Sequence, residues 1–402
     1  MAKRFGLTSM FFKKLQLICY NKTKKVEYEY MIKNILFVYN QVSRRERKGL
    51  FRECIPTEDV NAIRQALVKT NNNILSLDLL TPEKLDEFIS RHQPIDLAFV
   101  LAEGYKDIPH TFYSGHGAAM VRKQLNKYHI PCALSDIESM EICRNKDLTY
   151  VKLEEKNVLI PGYFVFDTHL RFNKIKLLSQ IEKIGFPLMI KPVGGGDSIG
   201  ITPKSVVHNL QELKNRFIGL KKELGPEKLI IEKYLPGREY TVGVLGSKAK
   251  KYILPIISFP KDHGIRYTST KNKEYKMREK FEIIYRDDER FKKLAQIAIN
   301  TFDAVGASDA IRIDFMKDEL GNIYVIDVNG TPALSLTGSL TFMASKVGLT
   351  HSQLIKLIFY ESVVRYNLAP TYLLEEIISK IQARLATYYA DKDDKDTEMA
   401  LI

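Results

Sequence analysis

The chain has 402 residues, of which 45% are hydrophobic and 27% charged, an ordinary globular composition that excludes a collagen-like, mucin-like or wholly disordered protein. Its length allows two or three lobes with real cores. Sixty-one Lys and Arg against 48 Asp and Glu give a formal charge of +13, which on its own directs attention to nucleic acid, an anionic membrane surface or acidic small molecules.

The excess is unevenly spread, because residues 1–30 hold seven Lys or Arg and two acids. Their apolar stretch is broken by Lys13 and Lys14, too early for a signal-peptide hydrophobic region. They read as a basic N-terminal extension ahead of Met31. The first convincing strand covers residues 35–39. A helix follows over 57–70 with Thr57 as its candidate cap, then apolar runs at 74–77 and 95–101 separated by a helix opening at Thr81-Pro82. A helix over 117–127 and a short run at 130–134 complete a small parallel α/β lobe, residues 31–135.

A charge-rich helix is expected over 137–155. Strands at 163–166, 187–191 and 228–234 alternate with helices near 172–184 and 205–220, giving a central lobe of residues 136–235. Two β-rich runs, 239–245 and 251–258, then open a C-terminal lobe, residues 236–366, with strands at 310–316 and 323–328. Residues 264–280 are polar and irregular and read as a mobile loop. An amphipathic helix over 373–389 belongs to a helical tail, residues 367–402. No run of about 18 apolar residues occurs, so no membrane span is expected. The four scattered cysteines (Cys19, Cys54, Cys132, Cys143) contain no CxxC pair and read as reduced thiols in a cytoplasm. Eight histidines show no metal-ligand spacing, and zinc is not expected.

Three stretches carry chemistry. The run K-P-V-G-G-G-D-S-I-G, residues 191–200, directly follows a strand, and its glycines let backbone N–H groups converge on an anion beside Lys191. Its spacing is neither a P-loop nor a dinucleotide fingerprint. Second, Arg312 and Asp314 share one face of a strand, and Asp327 and Asn329 share one face of the next. Pairing of those strands would gather two carboxylates and an amide oxygen, hard ligands suited to Mg²⁺. Third, a strand, a Pro-Gly turn and a second strand place Glu232 and Glu239 where they can hold an adenine amino group and a ribose hydroxyl.

Together and in this order, these pieces resemble the ATP-grasp superfamily, and within it the D-alanine–D-alanine ligase-like group. The likeness covers residues 31–362 and is strongest from Lys146 onward. It implies an α/β fold, α+β in its C-terminal half, of three lobes with ATP between two antiparallel sheets. It implies ATP-binding roles for Lys146, Lys191, Gly195, Gly196, Ser198, Glu232, Lys233, Leu235 and Glu239, and for Lys271 and Lys273 in the basic loop. Metal ligation falls to Asp314, Asp327 and Asn329, with Mg²⁺ or alternatively Mn²⁺. Catalytic roles fall to Arg312, Ser198 and Glu58, the last as the acid for the first substrate's ammonium, and substrate contacts to Asp197, Glu103, Ala333, Ser339 and Leu340. Departures from the family pattern concern mainly the substrates: Asp327 replaces Glu, Asp197 stands where Ser is usual, and Leu-Ala-Glu103-Gly104 replaces a His-Gly segment.

The resemblance implies an ATP- and Mg²⁺-dependent carboxylate–amine ligase acting on small-molecule substrates through an acyl phosphate, with a homodimer expected by the same likeness. The alternative is a nucleotide-binding module that no longer ligates; the filled set Lys146, Lys191, Arg312, Asp314, Asp327 and Asn329 favours the enzyme. Nucleic acid is not expected as a partner, since no aromatic-basic interleaving of an RNA-binding sheet is present.

Overall fold

The computed structural model describes residues 18–21, 24–27, 30–169, 173–225, 227–260 and 281–390. The loop 264–280, with Lys271 and Lys273, lies outside them.

The N-terminal part is a three-stranded parallel sheet, β1 (Asn34–Tyr39), β2 (Asn73–Asp78) and β3 (Leu97–Val100), in the order β2-β1-β3. Helices α1 (Thr57–Val68), α2 (Pro82–Arg91) and α3 (Gly117–Lys127) alternate with the strands. Thr81 caps α2 by accepting from Lys84 N–H, whereas α1 follows Pro56 with no side-chain cap, and Thr57 lies inside the helix. The run at 130–134 forms only a parallel bridge, Cys132 to Ala98.

The charge-rich helix expected over 137–155 is two helices, α4 (Ile137–Arg144) and α5 (Lys146–Glu154), broken at Asn145. Asn145 leaves helical geometry (φ −118°, ψ 106°), and its amide donates to the carbonyls of Gly115 and Glu141. The break brings Lys146 N–H onto the carbonyl of Val193, at the mouth of the glycine loop.

Strands β4 (Tyr163–Asp167), β5 (Leu188–Pro192), β6 (Val206–Val207) and β7 (Lys228–Lys233) form an antiparallel sheet in the order β6-β5-β7-β4. Helices α6 (Lys174–Ile184) and α7 (Leu210–Leu224) cover it, α7 starting at an Asn209 cap. A second antiparallel sheet holds β8 (Glu239–Gly246), β9 (Lys251–Ile253), β10 (Ile256–Ser258), β11 (Glu282–Ile284), β12 (Asp309–Lys317) and β13 (Ile323–Asn329). Its path runs β11-β10-β8-β12-β13, with β9 also on β8. The run expected at 251–258 is split between β9 and β10 at Leu254-Pro255, where proline has no N–H for a ladder. Helix α8 (Glu289–Ala304) packs Phe291, Leu294, Ala298 and Phe302 on this sheet.

Three helices close the chain: α9 (Ser339–Ser345), α10 (His351–Arg365) and α11 (Tyr372–Ala390). The last is no loose tail. Its Leu374, Ile378, Ile381, Leu385 and Tyr389 enter the same core as Ile35, Phe37 and Phe99 of the parallel sheet and Leu357, Ile358 and Phe359 of α10. The Tyr389 hydroxyl donates to the Ile253 carbonyl at 2.7 Å, and Thr371, just before α11, donates to the carbonyl of Thr70. One helix therefore ties the first lobe to the sheet of the last. No helix among the described residues is long and apolar enough to cross a membrane. Cys54, Cys132 and Cys143 are free and buried; burial pushes their thiols up to about 12, 11 and 12.

Candidate active site

The two antiparallel sheets face each other across a cleft of about 940 Å³, which the parallel-sheet lobe closes at one end. Register assembles the expected acidic set. Asp314 on β12 lies opposite Asp327 on β13, and Arg312 opposite Asn329, with an irregularity just after Asp314. Side chains alternate along strands, so all four turn toward the cleft. Arg312 donates through Nε and Nη2 to the two oxygens of Asp314 at 3.2 and 3.0 Å, and Thr241 on β8 donates to Oδ1 at 2.7 Å. The amide of Asn329 is 3.4 Å from Asp327 Oδ2. Among the described residues no three His, Cys, Asp or Glu gather as a metal cage. Two carboxylates and one amide oxygen nevertheless fit Mg²⁺, which takes few protein ligands and fills its octahedron with water and phosphate oxygens.

Two lysines face this set. Lys191, at the end of β5, pairs with Glu232 of β7 at 2.8 Å and donates to the carbonyl of Ile326 at 3.1 Å. The other Glu232 oxygen accepts from the Tyr150 hydroxyl at 2.7 Å. Both oxygens of Glu232 thus hold Lys191 and α5, and the residue lines the cleft. Burial, then the charge of Glu232, holds the Tyr150 hydroxyl well above its ordinary pKa. Lys146 opens α5, donates to the carbonyl of Gly195 at 3.1 Å and lies 3.8 Å from Asp327 Oδ1. Burial lowers its pKa against the opposing pull of Asp327. Because Lys191 sits on Ile326 and Lys146 beside Asp327, neighbouring residues of β13 bring the two ammonium groups together.

The glycine loop lies against the first lobe. A Cβ on Gly194 would come within 2.5 Å of the Tyr113 carbonyl oxygen, and one on Gly196 within 2.2 Å of Glu53 Oε1. Only glycine permits that approach. Asp197 and Ser198 both take left-handed backbone (φ 44° and 60°), a conformation that costs roughly 1–2 kcal/mol per non-glycine residue. Gly195, Gly196 and Ser198 all line the cleft, as do Lys233, Leu235 and Glu239. Lys233 directs its ammonium away, to the carbonyls of Gly185 and Phe186.

At the first-lobe end, Arg144, the last residue of α4, forms a two-pronged pair with Glu53, at 3.0 Å through Nη1, and lies 3.5 Å from Glu103 Oε2. Burial alone would lower the guanidinium's pKa, but Glu53 and Glu103 outweigh it and raise it. Burial pushes the Glu103 carboxyl up, ahead of the pull of Arg144. Asp197 pairs with Arg47 at 3.3 Å. Glu103, Asp197, Ala333 and Ser339 line the cleft as expected from the sequence. Two expected residues are not brought there. The Glu58 side chain is 41% exposed and pairs with Arg44, because the first turn of α1 turns it outward; its neighbour Asp59 faces the cleft instead. The Leu340 side chain is buried in the core against Gly243.

Sequence reasoning missed Arg144, Glu53, Asp59, Tyr150 and Thr241. Arg144 and Tyr150 were within reach. They stand two residues before and four after Lys146, and the second spacing shares a helix face with it.

With this geometry in view, the chain's relatives are informative. The family model described as D-ala D-ala ligase C-terminus matches residues 153–359, more than half of the chain. The chain belongs to the D-Ala–D-Ala ligase family. It is 28% identical over 274 residues to D-alanine–D-alanine ligase A of Bacillus cereus, covering 65% of this chain and 83% of that protein. Its fold is that of the ATP-grasp ligases. A D-alanine–D-alanine ligase from Bacillus anthracis solved with ATP superposes with a TM-score of 0.61 at 22% identity, over 83% of this chain and 98% of that one. The VanG D-Ala:D-Ser ligase from Enterococcus faecalis gives the same TM-score at 19% identity, over 83% of this chain and all of that one.

Proposed function

We propose that this family member is an ATP-dependent, ADP-forming ligase that joins two amino acids, or an amino acid and a small carboxylate, through an acyl phosphate. The observation that carries the reading is the cross-strand set Arg312, Asp314, Asp327 and Asn329 facing Lys146 and Lys191 across one cleft. The three lobes would meet near residues 135 and 235. The adenine would lie along residues 233–235 and the phosphates under the glycine loop, between Lys191 and Lys146.

A carboxylate and a γ-phosphate repel each other, and the work of the site is to suppress that repulsion. Lys146, Lys191 and the N–H groups of residues 195–198 bring positive charge to the phosphates. Mg²⁺, held by Asp314, Asp327 and Asn329 when bound, supplies further neutralisation of the phosphate oxygens. The donor carboxylate oxygen attacks the γ-phosphorus and ADP leaves. The acceptor amine nitrogen then attacks the acyl carbon, the C–O bond to phosphate breaks, and the amine gives up a proton. Arg312 and a backbone N–H near Ala333 stabilise the negative oxygen of the tetrahedral intermediate, a type of donor worth about 10²–10³ in rate. The donor substrate lies toward Glu103, Arg144 and Asp197, and the acceptor toward Ser339.

The relatives named above act, by their names, on D-alanine or D-serine. Asp197, paired with Arg47, gives this chain a more charged donor end. The decisive experiment measures ATP- and Mg²⁺-dependent phosphate release, with product mass, across D- and L-amino acids and small carboxylates. Amino-acid-dependent release is expected, with a product at the summed mass of the two substrates less one water. A folded, nucleotide-binding protein without it would overturn the ligase reading in favour of a non-catalytic module.

A further inference from the structure

After Asn329 the chain crosses the cleft as the segment 331–338 and enters α9. Thr331, Ala333, Ser335 and Thr337 all line the cavity. Among the described residues the segment has no sheet partner; Thr331 Oγ1 meets Met140 Sδ of α4 at 3.3 Å, and side chains of four further elements hold the rest of its path. Arg122 of α3, fully buried, donates to Thr331 Oγ1 at 3.1 Å and uses its other N–H groups on the carbonyls of Ala118, Val100 and Ser135. His351 of α10 meets the Leu334 carbonyl at 2.9 Å. Thr341 of α9 donates to the Ser335 carbonyl at 2.7 Å. Asp59, in the first turn of α1, accepts from Leu336 N–H at 2.9 Å across 277 residues of sequence.

Asp59 is the unusual member. It is 2% exposed, and among the described residues its carboxylate has no cationic partner. Taking a carboxylate out of water is costly, and one N–H and the positive end of a helix are modest recompense. An apolar side chain in this place would leave Leu336 N–H without its acceptor. The carboxylate holds the point where the 331–338 segment turns toward α9.

We propose that Asp59 is a positioning residue, which fixes the 331–338 segment from the first lobe and so sets where the amine acceptor and the Ala333 backbone sit. The inference rests on the ligase reading for its kinetic part only. Arg122 and Asp59 hold opposite ends of the segment, and both come from the lobe that closes the cleft. Acceptor geometry is thereby tied to the placement of that lobe. A displacement of about 1 Å at a reacting centre lowers rate by about 10²-fold, so one such tether matters.

The test compares Asp59→Leu, which removes the acceptor but keeps the branching at Cγ, Asp59→Ala, which removes it with less steric demand, and Asp59→Asn, whose amide oxygen can replace Oδ1. Amide hydrogen exchange on the full chain without substrates is the first readout. In the Leu or Ala variant, exchange at Leu336 is expected to quicken at least tenfold while amides of β12 and β13 stay unchanged. In steady-state assays the KM for the amine acceptor is expected to rise about tenfold with the KM for ATP within twofold. Asp59→Asn should stay near wild type in both. Wild-type exchange at Leu336 in the Leu or Ala variant would overturn the proposal. So would equal rises in both KM values, or an Asn variant as impaired as the apolar ones. If no amino acid supports ligation, the exchange result still decides the positioning role, whereas the ligase reading fails by itself.

Discussion

On the nucleotide wall of the cleft, Lys146, Lys191, Tyr150 and Glu232 hold one another through contacts anchored in short motifs. At the first-lobe end, Arg144 pairs with Glu53 across 91 residues and Arg47 with Asp197 across 150. Each region has closely balanced charge. The difference lies in what fixes the pairing. On the nucleotide wall the partners are also far apart in sequence, Tyr150 and Glu232 by 82 residues and Lys191 and Ile326 by 135, but each stands on a regular strand or helix whose register places it. At the first-lobe end, each pair exists only when separate lobes have come together. A site can thus take its geometry from regular elements along one wall and from segments of separate lobes along another.

Asp314→Ala should give the largest effect, a fall in turnover on the order of 10³-fold with nucleotide affinity little changed. Isothermal titration beside the phosphate-release assay separates the two, and unchanged turnover would contradict the metal assignment. Next is Lys191→Ala, which leaves Glu232 buried with only the Tyr150 hydroxyl. A loss of about 3–5 kcal/mol in urea unfolding is expected, and adding Glu232→Gln should recover part of it. A loss below about 1 kcal/mol would mean that the nucleotide wall does not depend on this pair.

Glu103 gives a smaller effect whose sign is fixed by its environment. Burial raises its carboxyl pKa above the unfolded value. The folded state therefore binds a proton more readily, and stability declines as pH rises from the ordinary carboxylate range through the folded value. Glu103→Gln should remove that decline in unfolding midpoints taken from pH 4 to 8. A slope equal to wild type would show that the carboxyl is not desolvated. Asp197→Asn should be the mildest for stability, below about 1 kcal/mol because the pair with Arg47 is partly exposed, yet it should change the KM for the donor while leaving that for ATP alone. Equal changes in both would erase the distinction between the two regions.

The same division governs what could be read from the sequence. Asp314, Asp327 and Asn329 were legible because strand alternation and a short turn determine their meeting, Lys191 because it ends a strand before a glycine run, and Lys146 only through the family resemblance. The break at Asn145 was not, since it depends on the carbonyl of Gly115, supplied by a distant turn. Glu58 looked suitable as the substrate-facing acid because it begins a helix. Which residue of a helix's first turn faces inward is decided by how that helix packs, and here it is Asp59. Glu53 carries no motif signal, only proximity after folding, and Arg144 only its nearness to Lys146 in the chain. The amphipathic stripe of α11 was evident, but its destination was not, because a stripe says that a face is covered and not by what.

That destination bears on synthesis. The core that Leu385 and Tyr389 enter also contains Ile35 and Phe37, so it cannot close on a ribosome until α11 has been translated and has left the exit tunnel. Until then, apolar surface from both early strands and late helices stays open to chaperones and proteases. A gene truncated after α10 should yield a polypeptide that carries every proposed active-site residue and yet accumulates poorly in cells.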